Sequence, residues 1–88
     1  MVTAYYLRMR VADETGVLAD ITRILADDDI SIDALMQREP EEGESSTDLI
    51  LLTHETLEKQ MNAAMARIEG LNSVQGKVTR IRLETLGK

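Results

Sequence analysis

The chain has 88 residues, a formal net charge of -6 and no cysteine. That length holds one small domain with a thin margin of stability, and the lack of thiols excludes a disulfide framework, a cysteine nucleophile and a thiolate metal site. The acidic balance argues against nucleic acid, whose phosphates draw on a basic surface; no apolar run approaches a membrane span and no signal-peptide pattern opens the chain, so a cytoplasmic setting is expected.

Along the chain, residues 5–11 (YYLRMRV) alternate, with Tyr5, Leu7, Met9 and Val11 on one face and Tyr6, Arg8 and Arg10 on the other. This is the pattern of a half-buried strand. Asp13, Glu14 and Thr15 then lead into Gly16, and residues 16–28 take up a helical period, with Val17, Leu18, Ile21, Ile24 and Leu25 in one stripe. Thr15 is the expected N-cap, its hydroxyl accepting from an orphan backbone N–H. Residues 30–38 alternate again, which predicts a strand with Ile30, Ile32, Ala34 and Met36 on one face. A polar hairpin loop, EPEEGESS, precedes the most apolar strand, residues 47–53. A second helix is expected from about Glu55, with Leu57, Met61, Ala64, Met65 and Ile68 as its stripe and Gly70 at C′. The last strand, roughly 76–84, has a phase conflict. Val78 falls on the opposite parity from Ile81 and Leu83, which a bulge or twist near Thr79 would resolve.

The order strand, helix, strand, strand, helix, strand predicts an α+β, ferredoxin-like βαββαβ sandwich: a four-stranded antiparallel sheet with both helices on one face, in a single domain over residues 1–88. The other face, carrying Tyr6, Ile50 and Leu52, would be bare and invites a second copy or another domain.

Few residues carry chemistry. His54 is the one histidine, and HETLE lacks the second histidine of the zinc motif H-E-x-x-H, Glu58 standing in its place. No serine–histidine–aspartate set or glycine-rich phosphate loop can be assembled. Asp27–Asp29 and the glutamates of the 39–44 loop read as solvated charge rather than a calcium loop. No metal site is expected. The turn before the first helix is the exception. A helix N-terminus presents free N–H groups and a dipole that favours an anion, and Gly16 lets a ligand approach the backbone. A carboxylate could rest on the N–H groups of Gly16, Val17 and Leu18 while Asp13 takes an ammonium group, which together would receive an α-amino acid. A plain helix cap is the simpler alternative.

The stretch YYLRMRVADETGVLADITRILADDDISIDAL resembles the opening of the ACT domain, a small regulatory module that binds amino acids, with Thr15 where the family often has proline. YYLRMRVAD, GVLADIT, ILLTH and MNAAMARIEGL are similar more narrowly to the C-terminal ACT domain of bacterial homoserine dehydrogenases. The resemblance implies a homodimer formed by side-by-side pairing of sheets, with an amino-acid effector, threonine for the narrower match, bound where two copies meet. Asp13 would hold the ammonium, Gly16, Val17 and Leu18 the carboxylate, and Thr15 would border the pocket. Ser31 would reach in from the partner, with Asp33 a weaker candidate. Such a domain holds no cofactor and does not catalyse alone; NAD or NADP would belong to the parent enzyme. The alternatives are a structural dimerisation module, or an ACT domain from another parent such as an acetolactate synthase regulatory subunit or a stringent-response enzyme.

Overall fold

In a computed structural model that describes residues 1–84, the first strand, β1 (Val2–Ala12), is the centre of the sheet. Its alternation is realised in space. Tyr5, Leu7, Met9 and Val11 are buried, while Arg8 is exposed and Tyr6 and Arg10 are half-buried on the other face. Helix α1 (Val17–Asp27) lays Val17, Ile21, Ile24 and Leu25 against the core. Strands β2 (Ile32–Gln37) and β3 (Ser46–Thr53) form the hairpin predicted around the polar loop, turning where Gly43 takes φ 86°. The two-residue strand β4 (Thr56–Leu57) leads directly into α2 (Glu58–Glu69), and β5 (Val74–Leu83) closes the fold.

All pairings are antiparallel. The main sheet runs β2-β3-β1-β5, with β4 pairing the first residues of β1. Leu49 and Leu51 of β3 meet Met61, Ala64, Met65 and Ile68 of α2 in the same core cluster as the α1 stripe. Burying each such side chain stabilises the fold by about 1.5–3 kcal/mol, so one sheet face and two helical stripes make the core. No helix among the described residues is long and apolar enough to cross a membrane.

The elements depart from the sequence expectation at five points. The short β4 takes Thr56 and Leu57, so α2 starts at Glu58 rather than near Glu55, and Leu57 is exposed rather than part of the buried stripe. Gly70 is the C-cap of α2 in right-handed conformation (φ -80°), not a left-handed C′ residue; its N–H finds the carbonyls of Ala66 and Arg67 without a reversal of φ. In β2, the register slips between Ile32, opposite Thr53, and Ala34, opposite Leu52. That one-residue bulge at Asp33 flips the phase. Ile30 and Ile32 therefore pack toward the core, whereas Ala34 and Met36 lie on the helix-free face beside Leu52 and Ile50. In β5, Arg8 faces Thr79 but Arg10 faces Gln75, so Gly76, Lys77 and Val78 stand opposite Met9 alone, two residues more than regular pairing allows, and the irregularity lies before Thr79 rather than beyond it. Gly76 supplies the positive φ of 69° that this detour needs. Val78 packs against the core and donates its N–H to Glu69 Oε2 at 2.7 Å, while Ile81 and Leu83 turn to the bare face. The fifth departure, at the start of α1, concerns the candidate site.

Candidate ligand site at the first strand–helix turn

Residues 13–16 are held from both sides. The N–H of Ala12 donates to the Ser73 carbonyl at 2.8 Å, and the N–H of Asp13 donates to the Ser45 carbonyl at 2.9 Å. The turn is thus stitched to the entry of β5 and to the entry of β3, and Asp13, Glu14, Thr15 and Gly16 are exposed upon it. The N-cap of α1 is Gly16 rather than Thr15, and no side chain caps the helix. The reason is conformational. The chain enters the helix through a left-handed residue (φ 92°, ψ -15°), which glycine adopts at little cost and threonine does not. With glycine in the cap, no hydroxyl fills the helix mouth. Asp20 donates its N–H to the Gly16 carbonyl at 3.0 Å, and Val17 reaches back to the Glu14 carbonyl only at 3.4 Å. A methyl group built on Gly16 would crowd no other part of the chain within 4 Å, so the space beside this residue is open.

Two of the candidate residues are anchors as well as donors. The Val17 side chain is buried and that of Leu18 is partly buried against the core, so each can offer only its backbone to a ligand. Asp13 is exposed on the turn, with its N–H engaged by the Ser45 carbonyl and its carboxylate free of any ion pair among the described residues. The arrangement can therefore accept an anion at the helix end and a cation at Asp13, three residues before the cap.

Ser31 lies elsewhere. Its carbonyl accepts the N–H of His54 at 2.9 Å, beyond the far end of β3. Because β1 and β2 are both antiparallel to β3, β2 begins at the end of the sheet opposite the turn. The separation along β3 is about 23 Å at standard strand rise. Within one copy, then, Asp13, Thr15, Gly16, Val17 and Leu18 come together and Ser31 does not join them. Asp33, in the β2 bulge, is 3.6 Å from His54 Nε2, a pairing that the strand pattern alone did not reveal.

Part of each of the other acidic clusters is engaged within the fold. Asp27 and Asp28 flank Arg67 of α2 at 3.5 and 3.7 Å, and Glu44 reaches Arg10 at 3.5 Å. His54 sits between β3 and β4 while Glu58 opens α2, so the two do not share a helical face. Among the described residues no three His, Cys, Asp or Glu side chains converge as metal ligands would.

Comparison with known proteins agrees with this architecture. The ACT domain family model matches residues 5–72. The homoserine dehydrogenase of Methylobacillus glycogenes is 58% identical over 86 residues, covering 98% of this chain and 21% of that protein. The Pseudomonas aeruginosa homoserine dehydrogenase is 44% identical over 84 residues, covering 96% and 19%. The crystal structure of a homoserine dehydrogenase from Thiobacillus denitrificans superposes with a TM-score of 0.87 at 62% identity, over 99% of this chain and 19% of that one. The fold alone is shared with the ACT domain of a GTP pyrophosphokinase from Chlorobium tepidum, at a TM-score of 0.71 and 15% identity over 92% of this chain and 100% of that one. The chain spans about a fifth of the length of the curated relatives it matches. With its helix–sheet architecture, its βαββαβ order and the family match across most of its length, the chain belongs to the ACT domain family.

Proposed function

We propose that this chain is the amino-acid-sensing regulatory domain of a homoserine dehydrogenase, with threonine as its effector. The observation that carries the reading is the juxtaposition, on one stitched turn, of the Asp13 carboxylate with a helix mouth that Gly16 leaves open. The Asp13 carboxylate takes the ammonium of the effector. The backbone N–H groups of Gly16, Val17 and Leu18 take its carboxylate, and Thr15 borders the pocket. Catalysis, and the NAD or NADP it requires, belong to the rest of the dehydrogenase.

Completion of the site requires a second copy. Strand β2 is an edge strand with β3 as its neighbour in the sheet. The Arg38 N–H points inward, to the Asp48 carbonyl at 3.1 Å, so by alternation the N–H groups of Leu35 and Gln37 point outward. Antiparallel pairing of this edge with the same edge of a second copy sets the start of one β2 beside the end of the other. That pairing carries the partner copy's Ser31 toward the Asp13–Leu18 turn and spans the separation found within one chain. The Ser31 hydroxyl then meets the threonine hydroxyl, and a polar group left unpaired there selects against valine. An effector that touches both copies favours one packing of the pair, and coupling of this kind is typically about 1–3 kcal/mol.

The exposed β2 edge also favours a second reading, a pairing module without ligand. A thermal-shift screen of the 88-residue chain against the free amino acids separates the two. Sensing predicts that threonine at millimolar concentration raises the melting temperature, by up to about 2.7 kcal/mol of stabilisation at a hundredfold excess over Kd, and that Asp13→Ala removes the effect. No shift with any amino acid overturns sensing. Leu35→Pro, which removes an outward donor from the edge, is expected to abolish pairing and the threonine response together.

A further inference from the structure

The sheet face without helices is the largest feature that the ligand site does not use. Tyr6, Met36, Ile50, Leu52, Ile81 and Leu83 form an apolar band across it. Met36 is 58% exposed and Ile81 51%, and a trough of about 450 Å³ runs along the β1–β3–β2 side. A sheet face turned permanently to water normally carries polar residues at these alternate positions, and a contiguous apolar patch of this kind marks an interaction site.

We propose that this face docks against the remaining body of the longer polypeptide to which the chain belongs, on an apolar protein surface with an acidic rim. The inference rests on the reading of the chain as one domain of a dehydrogenase; relatives that match it whole are about five times its length. Charge sets the character of the partner surface. Arg8, Arg10 and Lys77 gather at one end of the band, around a cleft that also holds Asp48. Arg10 is already engaged by Asp48 at 3.2 Å and Glu44 at 3.5 Å. Arg8 and Lys77 have no acidic partner within 4 Å among the described residues, which leaves two cations facing outward from a chain of net charge -6. An acidic rim complements them.

Size favours a tethered partner. At standard strand spacing and rise the face covers about 450 Å², so contact with a partner surface buries about 900 Å² in all. That is below the ~1,200 Å² at which free-standing complexes become stable, and within the ~600–1,500 Å² of interfaces between domains of one chain. A covalent tether supplies an effective concentration in the millimolar range and makes such a contact persistent.

The test uses the absence of native cysteine in this chain. Ile81→Cys places a thiol on β5, at the opposite edge of the sheet from β2, where pairing through β2 does not cover it. Its alkylation rate, read by mass spectrometry of the labelled peptide, is compared between the 88-residue chain and the full-length polypeptide. Docking predicts labelling at least about tenfold slower in the full-length protein. Adding Arg8→Glu and Lys77→Glu restores the fast rate there and leaves the rate of the 88-residue chain unchanged. Equal rates in the two proteins overturn the proposal, as does protection in the 88-residue chain that grows with concentration, the mark of a second copy. Assaying the same full-length preparation for NAD(P)H-dependent reduction of aspartate semialdehyde tests the parent assignment separately, so loss of one conclusion is distinguishable from loss of the other.

Discussion

The two helices of this domain begin in opposite ways. Helix α2 follows β4 without a loop residue, its N-cap Leu57 stays extended (φ -76°, ψ 140°), and the Glu58 N–H is taken by the Met1 carbonyl at 3.0 Å. The chain thus takes one N–H of that helix mouth itself, although α2 also lacks a side-chain cap. Helix α1 follows an exposed turn, enters through a left-handed glycine and has no side-chain cap. Two βαβ halves of one pattern thus start one helix against Met1, the residue that precedes β1, and the other from an exposed turn through a left-handed glycine, both without a side-chain cap. A helix N-terminus is worth reading as a receptor only when its own chain has not already supplied the acceptors.

Substitutions on the two sides should separate stability from ligand response. Gly16→Val forces a β-branched residue into the left-handed region. Nothing crowds the site, so the cost is backbone strain, about 1–3 kcal/mol. Thermal melting should fall by about 4–8 °C for each kcal/mol lost, and the threonine response should disappear. At the closed end, Thr56→Ala removes the bond from the Thr56 hydroxyl to Gln60 Oε1 (3.3 Å). It should lower stability by about 1 kcal/mol and leave the threonine-induced shift intact; a lost shift would mean that the two helix ends are not independent.

Thr15→Pro stiffens the open turn at a position that makes no side-chain cap. Thr15 has no positive φ and its N–H donates to no backbone carbonyl among the described residues, so denaturant melts should show a gain of about 0.4–1 kcal/mol. Asp13→Ala should change the stability of the free chain least, within about 0.5 kcal/mol for an exposed side chain. Isothermal titration should nevertheless find threonine binding gone.

Some of this was legible in the sequence and some was not, for physical reasons. The phase of β1 could be read directly, because Tyr5, Leu7, Met9 and Val11 keep strict period two with no interruption. The second half of β2 departs from strict alternation because the bulge at Asp33 is a backbone event that composition does not mark. In β5 plain alternation holds, with Val78 toward the core and Ile81 and Leu83 on the bare face; the detour at Gly76–Val78 adds two residues, keeps the phase and so leaves no mark in the apolar pattern. Strand β4 is too short to show any period. At the candidate site, the cluster Asp13–Leu18 was readable as a turn before a helix. The cap was assigned to Thr15 on residue preference, whereas the positive φ of Gly16 decides it. The position of Ser31 at the other end of the sheet follows from strand order rather than from any local signal.

The central claim is that one site is built from two copies, and subunit mixing tests it most directly. Asp13→Ala and Ser31→Ala chains are each purified and shown not to bind threonine, then mixed, allowed to exchange subunits and titrated calorimetrically. In a mixed pair one site carries both lesions, and the other combines an intact Asp13 with the partner copy's intact Ser31. The account predicts that threonine binding reappears on mixing, with one functional site in each mixed pair. If the mixture binds no more threonine than the separate variants, the site is not shared between copies and the account is contradicted.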